Sequence, residues 1–330
     1  MSDPAQALQL AITFEAFTDI EFWTGVGVIA GIYVVFSTGL QMNVGFTGIQ
    51  NFGQVGFMAI GAYTMAILTA EEGWNFWLSL PVAVAVAVAF GLIIGLPSLR
   101  LRADYFAIAT IAFAEAIRLI ALNARDLTNG AQGIFGFDSS WTSVSESIED
   151  FIVDLGWTEV PALFPLFLVT WGLAVLLMFV LTRVQGTPWG RVLRAVREDE
   201  DAARALGKNT LLFKLQSLAT AALLGAIGGT FLALNLATLH PIEFEPLITF
   251  FAFSILVLGG LANYKGVAVG AVLFWFVIEG TRFIDLPDPP FTETRIAALR
   301  LAITGLLLIG LMVYRPQGLF GKREEMVLGE

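Results

Sequence analysis

Read from its N-terminus, the chain alternates long stretches without one ionisable side chain and short stretches crowded with them. No Asp, Glu, Lys, Arg or His occurs from Phe22 to Ala70, nor in Gly73–Leu99, Val160–Thr182, Leu215–Leu239 or Pro246–Tyr264. A helix needs about 20 apolar residues to cross a bilayer, so the first stretch suffices for two crossings and each of the others for one. The pattern predicts spans at about 22–41, 45–70, 76–97, 104–122, 162–182, 213–236, 246–262, 266–284 and 297–314. The expected fold class is an all-α integral membrane protein, a multi-pass bundle of about nine (eight to ten) transmembrane helices forming one domain over 1–330. The second span is the least regular. Its start, NVGFTGIQNFGQVGF (Asn43 to Phe57), mixes glycines with Gln50, Asn51 and Gln54. That predicts either a broken or re-entrant start, buried in protein or lining a cavity, or a tight polar turn between ordinary spans.

Small residues recur at four-residue spacing: Gly27 and Gly31, Gly91 and Gly95, Gly225 and Gly229, Gly266 and Gly270. Helices in lipid pack by close backbone approach at such pairs, so these are expected to be packing sites. Two opposite-charge pairs, Glu115 with Arg118 and Glu279 with Arg282, sit at i, i+3 near the outer ends of spans. That spacing puts each pair on one helix face, where the favoured expectation is mutual neutralisation.

Composition agrees with the pattern, since 57% of residues are hydrophobic and only 14% charged, against about 25% charged in soluble domains. The absence of cysteine removes disulfides, thiolate metal sites and Cys nucleophiles. The single histidine, His240, builds no cluster, so no catalytic residue, metal or cofactor is expected. Residues 1–20 lack the basic start and apolar run of a cleavable signal peptide. The net charge of −10 is a property of the aqueous loops and carries no information about the fold.

Basic residues set the orientation, because they favour the cytoplasmic side. With 183–214 inside, Arg100, Arg102, Arg183, Arg191, Arg194, Arg197, Arg204, Lys208, Lys214, Lys265, Arg315, Lys322 and Arg323 all lie inside. The complementary loops hold Glu71, Glu72, Asp126, Asp138, Glu146, Glu149, Asp150, Asp154 and Glu159, and the N-terminus holds acids without Lys or Arg. The expectation is N-terminus out and C-terminus in. The outside loop, about 123–161, is long for a connection; it reads either as a partner contact or as a solvated loop.

The cytoplasmic segment, about 183–212, runs TRVQGTPWGRVLRAVREDEDAARALGKN from Thr182 to Asn209. After the turn residues Gly186, Pro188 and Gly190, one helix is predicted to Gly207. Val192, Val196, Ala203 and Leu206 would form its apolar face, Arg191, Arg194 and Arg197 a basic stripe, and Gly207 its C-terminal cap. Such a helix docks in a partner's groove or lies on the surface as a linker.

In this segment Asp201-Ala202-Ala203 with Gly207 resembles the E-A-A-x-x-x-G coupling segment of ABC importer permeases, with Asp in place of Glu. GLQMNVGFTGIQNFGQVGFMAIGAYTMAIL (39–68), PSLRLRADYFAIATIAFAEAIRLI (97–120), RAVREDEDAARALGKN (194–209) and YRPQGLFG (314–321) resemble permeases of branched-chain amino acid ABC importers in order and spacing. Urea and amide importers have very similar permeases. The stretch GGLANYKGVAVGAV (259–272) departs from the family pattern, with Tyr264, Lys265 and Val267 where small residues and Pro are usual.

The resemblance implies a permease subunit in the plasma membrane, working with two cytoplasmic ABC ATPase subunits, a second permease and an extracytoplasmic solute-binding protein. It implies ATPase coupling through Arg194, Arg197, Asp201, Ala202, Ala203 and Gly207. No G-x-x-x-x-G-K-[ST] phosphate loop occurs, so another subunit would bind the ATP. Gln50, Asn51, Gln54 and Thr110, polar and uncharged within spans, either line the path of a small neutral or zwitterionic solute or join helices by hydrogen bonds. No nucleic-acid partner is expected. A channel or secondary transporter working without an ATPase is the rival reading, disfavoured because no unpaired mid-membrane carboxylate is evident.

Overall fold

The computed structural model describes residues 19–157, 160–280, 298–299, 302–303, 305–306, 309–310, 313–314 and 317–321. Eleven α-helices of six residues or more organise them. α1 is Ile20–Gln41, α2 Gln54–Ala70, α3 Phe76–Ser98, α4 Ala103–Asn123, α5 Ser139–Asp154 and α6 Phe164–Gln185. α7 is Pro188–Glu198, α8 Glu200–Ala205, α9 Thr210–Leu236, α10 Leu247–Gly259 and α11 Tyr264–Gly280. Several begin at side-chain caps: Asp19, Asn75 and Asn209 accept from the backbone N–H groups of Glu21, Trp77 and Leu212. Each cap satisfies an amide that the first turn leaves without a helical partner.

Five helical segments are long and apolar enough to cross a membrane: Ile20–Thr47, Phe76–Ser98, Ala103–Asn123, Phe164–Gln185 and Thr210–Leu236. They sort into two layers. α9 and α1 are 78% and 61% buried over their apolar windows, whereas α3, α4 and α6 are only 22–28% buried. α9 is thus the central post, packed on α1, α2 and α3, with α6 and α11 completing the wall around α1. The outer helices expose Leu92, Ile93, Ile108, Leu176 and Phe179, as lipid-facing surfaces do.

The paired glycines mark the closest approaches. Gly27 and Gly31 face Phe167, Thr170 and Trp171 of α6, and Gly91 and Gly95 face Ala222 and Leu218 of α9. Gly225 and Gly229 lie on α2, where a methyl on Gly229 would stand 2.0 Å from the Met58 carbonyl oxygen. Gly266 and Gly270 lie on α10, with Gly266 backbone to backbone with Gly259.

Three sequence expectations change. The predicted spans at 246–262 and 266–284 appear as α10 and α11, bent 116° from each other. α10 has 13 residues, about 20 Å at helical rise, less than a full apolar thickness. Residues 317–321 close its end, with Leu319 and Phe320 N–H donating to the carbonyls of Leu258 and Gly259. The predicted span at 297–314 and the Arg282 partner of Glu279 lie largely or wholly outside the described residues. The second change is in the loop expected outside, about 123–161, which is folded. Ile134–Phe135 pairs antiparallel with Thr238–Leu239, and α5 buries Trp141 and Ile152 while Phe151 and Leu155 stay exposed. Its apolar residues recur at helical spacing, a signal hidden among the Ser and acidic residues. The third is the departure at 264–267. Tyr264 is core here, packed on Phe46 with its hydroxyl 3.5 Å from Met42 Sδ, and Val267 is fully buried.

Adding one methyl at the α9–α2 contact is expected to overpack it. Gly229→Ala should destabilise the detergent-solubilised protein by about 1–3 kcal/mol, read as a lowered melting temperature. Gly172→Ala on α6, where a Cβ meets nothing within 4 Å, should leave the melting temperature unchanged.

Candidate functional site

Two sites predicted separately, the polar start of the second span and the cytoplasmic helix, meet in one place. α1 does not end in a turn. It loosens into a π-helical turn, Met42–Thr47, closed by Gly48 at φ +73°, and an irregular segment then leads through Gly53 into α2. Of the two readings left open for this segment, the broken start is the one observed.

Polar side chains occupy the gaps that broken backbone would leave. The Asn51 carboxamide donates to Gln54 Oε1 at 3.0 Å and accepts from the Gly53 N–H at 3.0 Å. Gln54 donates to the Ala221 carbonyl of α9 at 2.9 Å. Thr110 of α4 accepts from Phe52 N–H at 3.1 Å, and Thr249 of α10 accepts from Val55 N–H at 3.0 Å. Thr47 donates to Ser217 Oγ at 2.7 Å, and Ser217 lies 3.0 Å from Asn43 Oδ1. Gln41 is placed to accept from Asn263 N–H at 2.8 Å once its carboxamide is turned to put oxygen toward that amide. Asn51, Gln54, Thr110, Ser217 and Thr249 are buried, so these bonds replace water that cannot reach them. Gln50 differs. It is exposed and opens onto a cavity of about 330 Å³ lined also by Arg102, Arg197, Glu200 and Lys214.

The segment expected to be cytoplasmic lines one side of that cavity through Val196, Arg197 and Glu200. The one predicted helix is two, because Asp199 leaves the helical region (φ −153°, ψ 106°) and its carboxylate caps α8, accepting from Asp201 and Ala202 N–H at 2.9 Å. The apolar face also differs. Leu193, Val196 and Ala203 are buried against the bundle, Val192 is half-buried, and Leu206 is 79% exposed. The basic stripe divides. Arg191 and Arg194 donate to the Gly186 and Gln185 carbonyls at the end of α6. Arg197 reaches inward to the Gly45 carbonyl in the π-helical turn. Asp201 and Ala202 face solvent and Ala203 packs inward. Gly207 ends α8 at φ +76°, the left-handed conformation that a C-terminal cap requires.

Sequence reasoning missed Glu200 and Lys214. Lys214 pairs with Glu200, which also receives Arg204 at 2.9 Å, and so ties α8 to the first turn of α9. Burial alone would raise the Glu200 carboxyl, but the Lys214 ammonium, with Thr210 and Arg204, outweighs it and holds the carboxyl below the usual range. The two residues are 14 apart on different helices, and no helical periodicity pairs them. Ser217 and Thr249 were missed likewise; each is one of several hydroxyls on an apolar helix, and nothing in the sequence sets it apart from Thr220 or Ser254.

A family model described as the permease component of the branched-chain amino acid transport system matches residues 24–312. The chain is 35% identical over 298 residues to the "high-affinity branched-chain amino acid transport system permease protein LivM" of Escherichia coli, covering 87% of this chain and 67% of that one. It is 28% identical over 335 residues to the "probable branched-chain amino acid transport permease protein LivM" of Methanocaldococcus jannaschii, covering 89% and 91%. No solved structure matches the chain.

Because the folded pKa of Glu200 is depressed, its stabilising contribution is present above the unfolded carboxylate value, about 4.3, and is lost as pH falls through the lower folded value. Glu200→Gln should melt below the unaltered protein at pH 7, and the gap should close as pH is lowered past about 4.

Proposed function

This chain belongs to the branched-chain amino acid transport system permease family, and from that premise we propose how it works as the membrane-spanning permease subunit of an ATP-binding-cassette importer. As a permease subunit it is a carrier and not an enzyme. In our reading ATP hydrolysis lies on two separate cytoplasmic subunits. A second permease completes the path, and an extracytoplasmic binding protein delivers branched-chain amino acids. In our reading the chain crosses the plasma membrane about nine times (eight to ten), N-terminus out and C-terminus in, with α10 as the short arm of its bent pair with α11.

The observation that carries this reading is the link from the cytoplasmic helices to the broken span. Leu206, Ala202 and Asp201 stand exposed at the end of a rigid elbow, where a groove on an ATPase would seat them. The elbow is held to the bundle by Arg194, Arg197 and the Glu200–Lys214 pair. Arg197 ends in the π-helical turn, so a push on α8 reaches the polar segment within one side chain's length. In this mechanism the solute passes beside that segment. Gln50 faces it, while Asn51, Gln54 and Thr110 hold the wall. Gly207 lets the chain return into α9.

Two experiments test this. In the assembled importer, Leu206→Asp should lower ATP-driven leucine uptake at least about tenfold, the loss of a buried apolar anchor, with the melting temperature unchanged. Gly207→Pro, which cannot hold φ +76°, should uncouple hydrolysis from uptake. Full coupling in both would remove the elbow from the mechanism. For orientation, the cysteine-free chain accepts single cysteines as reporters. A cysteine at Asp138 should react with an impermeant maleimide from outside the intact cell and one at Ala205 only after permeabilisation; the reverse would invert the topology.

A further inference from the structure

α4 presents three faces. Phe106, Thr110, Phe113, Ala114 and Ala121 are buried against the bundle. Tyr105, Ile108, Ala112, Ala116, Leu119 and Ile120 are exposed and carry no charge, as contact with lipid tails demands. Between them runs a half-buried edge, Ala107, Ile111, Glu115, Arg118 and Leu122, at steps of three or four. The ion pair of α4 lies on this edge and nowhere else on the helix between Asp104 and Asn123.

The pair is bidentate: Arg118 Nε and Nη2 donate to Glu115 Oε2 and Oε1 at 2.9 and 2.6 Å. Its side chains keep 19% (Arg118) and 36% (Glu115) of their surface accessible. Arg118 stands about 8 Å and Glu115 about 12 Å below the outer end of α4 at helical rise. Charges at such depth face protein or water-filled space, because lipid tails cannot solvate them. α4 also borders polar and aromatic surface. Glu245, next to the turn at Pro241–Phe244 that packs on α4, is within electrostatic reach of Arg118. Lower on α4, Phe52 hangs from Thr110, stacks on Phe253 and meets Phe250, 45% exposed, at a tilt of 42°.

We infer that Glu115 and Arg118 form the outer binding station for an α-amino acid zwitterion, with Arg118 receiving the carboxylate, Glu115 the ammonium, and the Phe52–Phe250 surface the branched side chain. A zwitterion presents the same two charges, in complementary order, that the pair presents to itself. The solute can therefore open the bidentate bridge and replace it without leaving an unpaired charge, which a singly charged or uncharged solute cannot do. The inference rests on the amino acid importer reading and adds where in this chain the solute is recognised.

The test uses the assembled importer, with its ATPases, companion permease and binding protein, in proteoliposomes. ATP-driven leucine uptake by the unaltered importer checks the reading on which the inference rests. Glu115→Gln and Arg118→Gln are each expected to lower that uptake at least about tenfold, the loss of a charge-assisted hydrogen bond. The exchange Glu115→Arg with Arg118→Glu keeps an ion pair on the helix but reverses the order of its charges. Melting temperature should return to that of the unaltered protein in the exchanged variant, and uptake should stay low. Recovery of uptake in the exchanged variant, or full uptake by either single variant, would overturn the inference, because a pair that only braces α4 needs opposite charges in either order. Should the unaltered importer move a different amino acid and not leucine, the same variants are scored on that solute, so the two readings fail separately.

Discussion

The constraint on which this structure depends is that a hydrogen-bonding backbone group inside a membrane must find its partner in protein. Regular helices meet it automatically, and most of the chain is regular helix. Among the described residues, the stretch from the π-helical turn at Met42–Thr47 to the start of α2 departs from it and frees amides and carbonyls within an apolar run. Thr110 and Thr249, from α4 and α10, answer two of the freed amides, and Asn51 answers a third locally. Each unmet group would cost several kcal/mol in hydrocarbon. The break thus decides which helices must stand next to one another, and α9, which supplies Ala221 and Ser217 to it, becomes the buried centre of the bundle.

The same requirement explains the glycines. A break that draws hydroxyls and carboxamides from four helices works only if those helices come close, and close approach needs small residues at the crossings. Gly53 sits where a Cβ would lie 2.1 Å from the Thr110 carbonyl oxygen, and Gly39 where one would meet Gln54 Nε2 at 2.8 Å. Packing and polar satisfaction are one arrangement seen from two sides. Arg197 extends it to α7: its guanidinium reaches the Gly45 carbonyl, so the α7–α8 elbow is hydrogen-bonded to the least regular backbone in the span.

Much of this was legible in the sequence. Charge-free runs located α1, α3, α4, α6 and α9 to within a few residues, because the cost of a charge in hydrocarbon is large and local in sequence. The four glycine pairs foretold four helix contacts for the same reason, since a missing side chain shows directly. Gly207 was readable as a cap, and the glycines and amides at 43–57 as a disturbance. The motif around Asp201 to Gly207 pointed to a permease's coupling segment before any fold was known.

What the tertiary structure alone decided is which polar group meets which. Thr249 and Val55, Glu200 and Lys214, Arg197 and Gly45 are pairs across helices, and no period of 3.6 residues or count of apolar residues links them. The fold also split the predicted 190–207 helix at Asp199, folded the loop at 123–161, and bent α10 against α11. In each case a few local residues were compatible with more than one backbone, and contacts from distant helices chose between them. The sequence by itself determined that the chain crosses a membrane repeatedly and where, because hydrophobic burial is a property of segments. It could not determine how the interrupted span is closed, because a hydrogen bond between helices is a property of their arrangement in space.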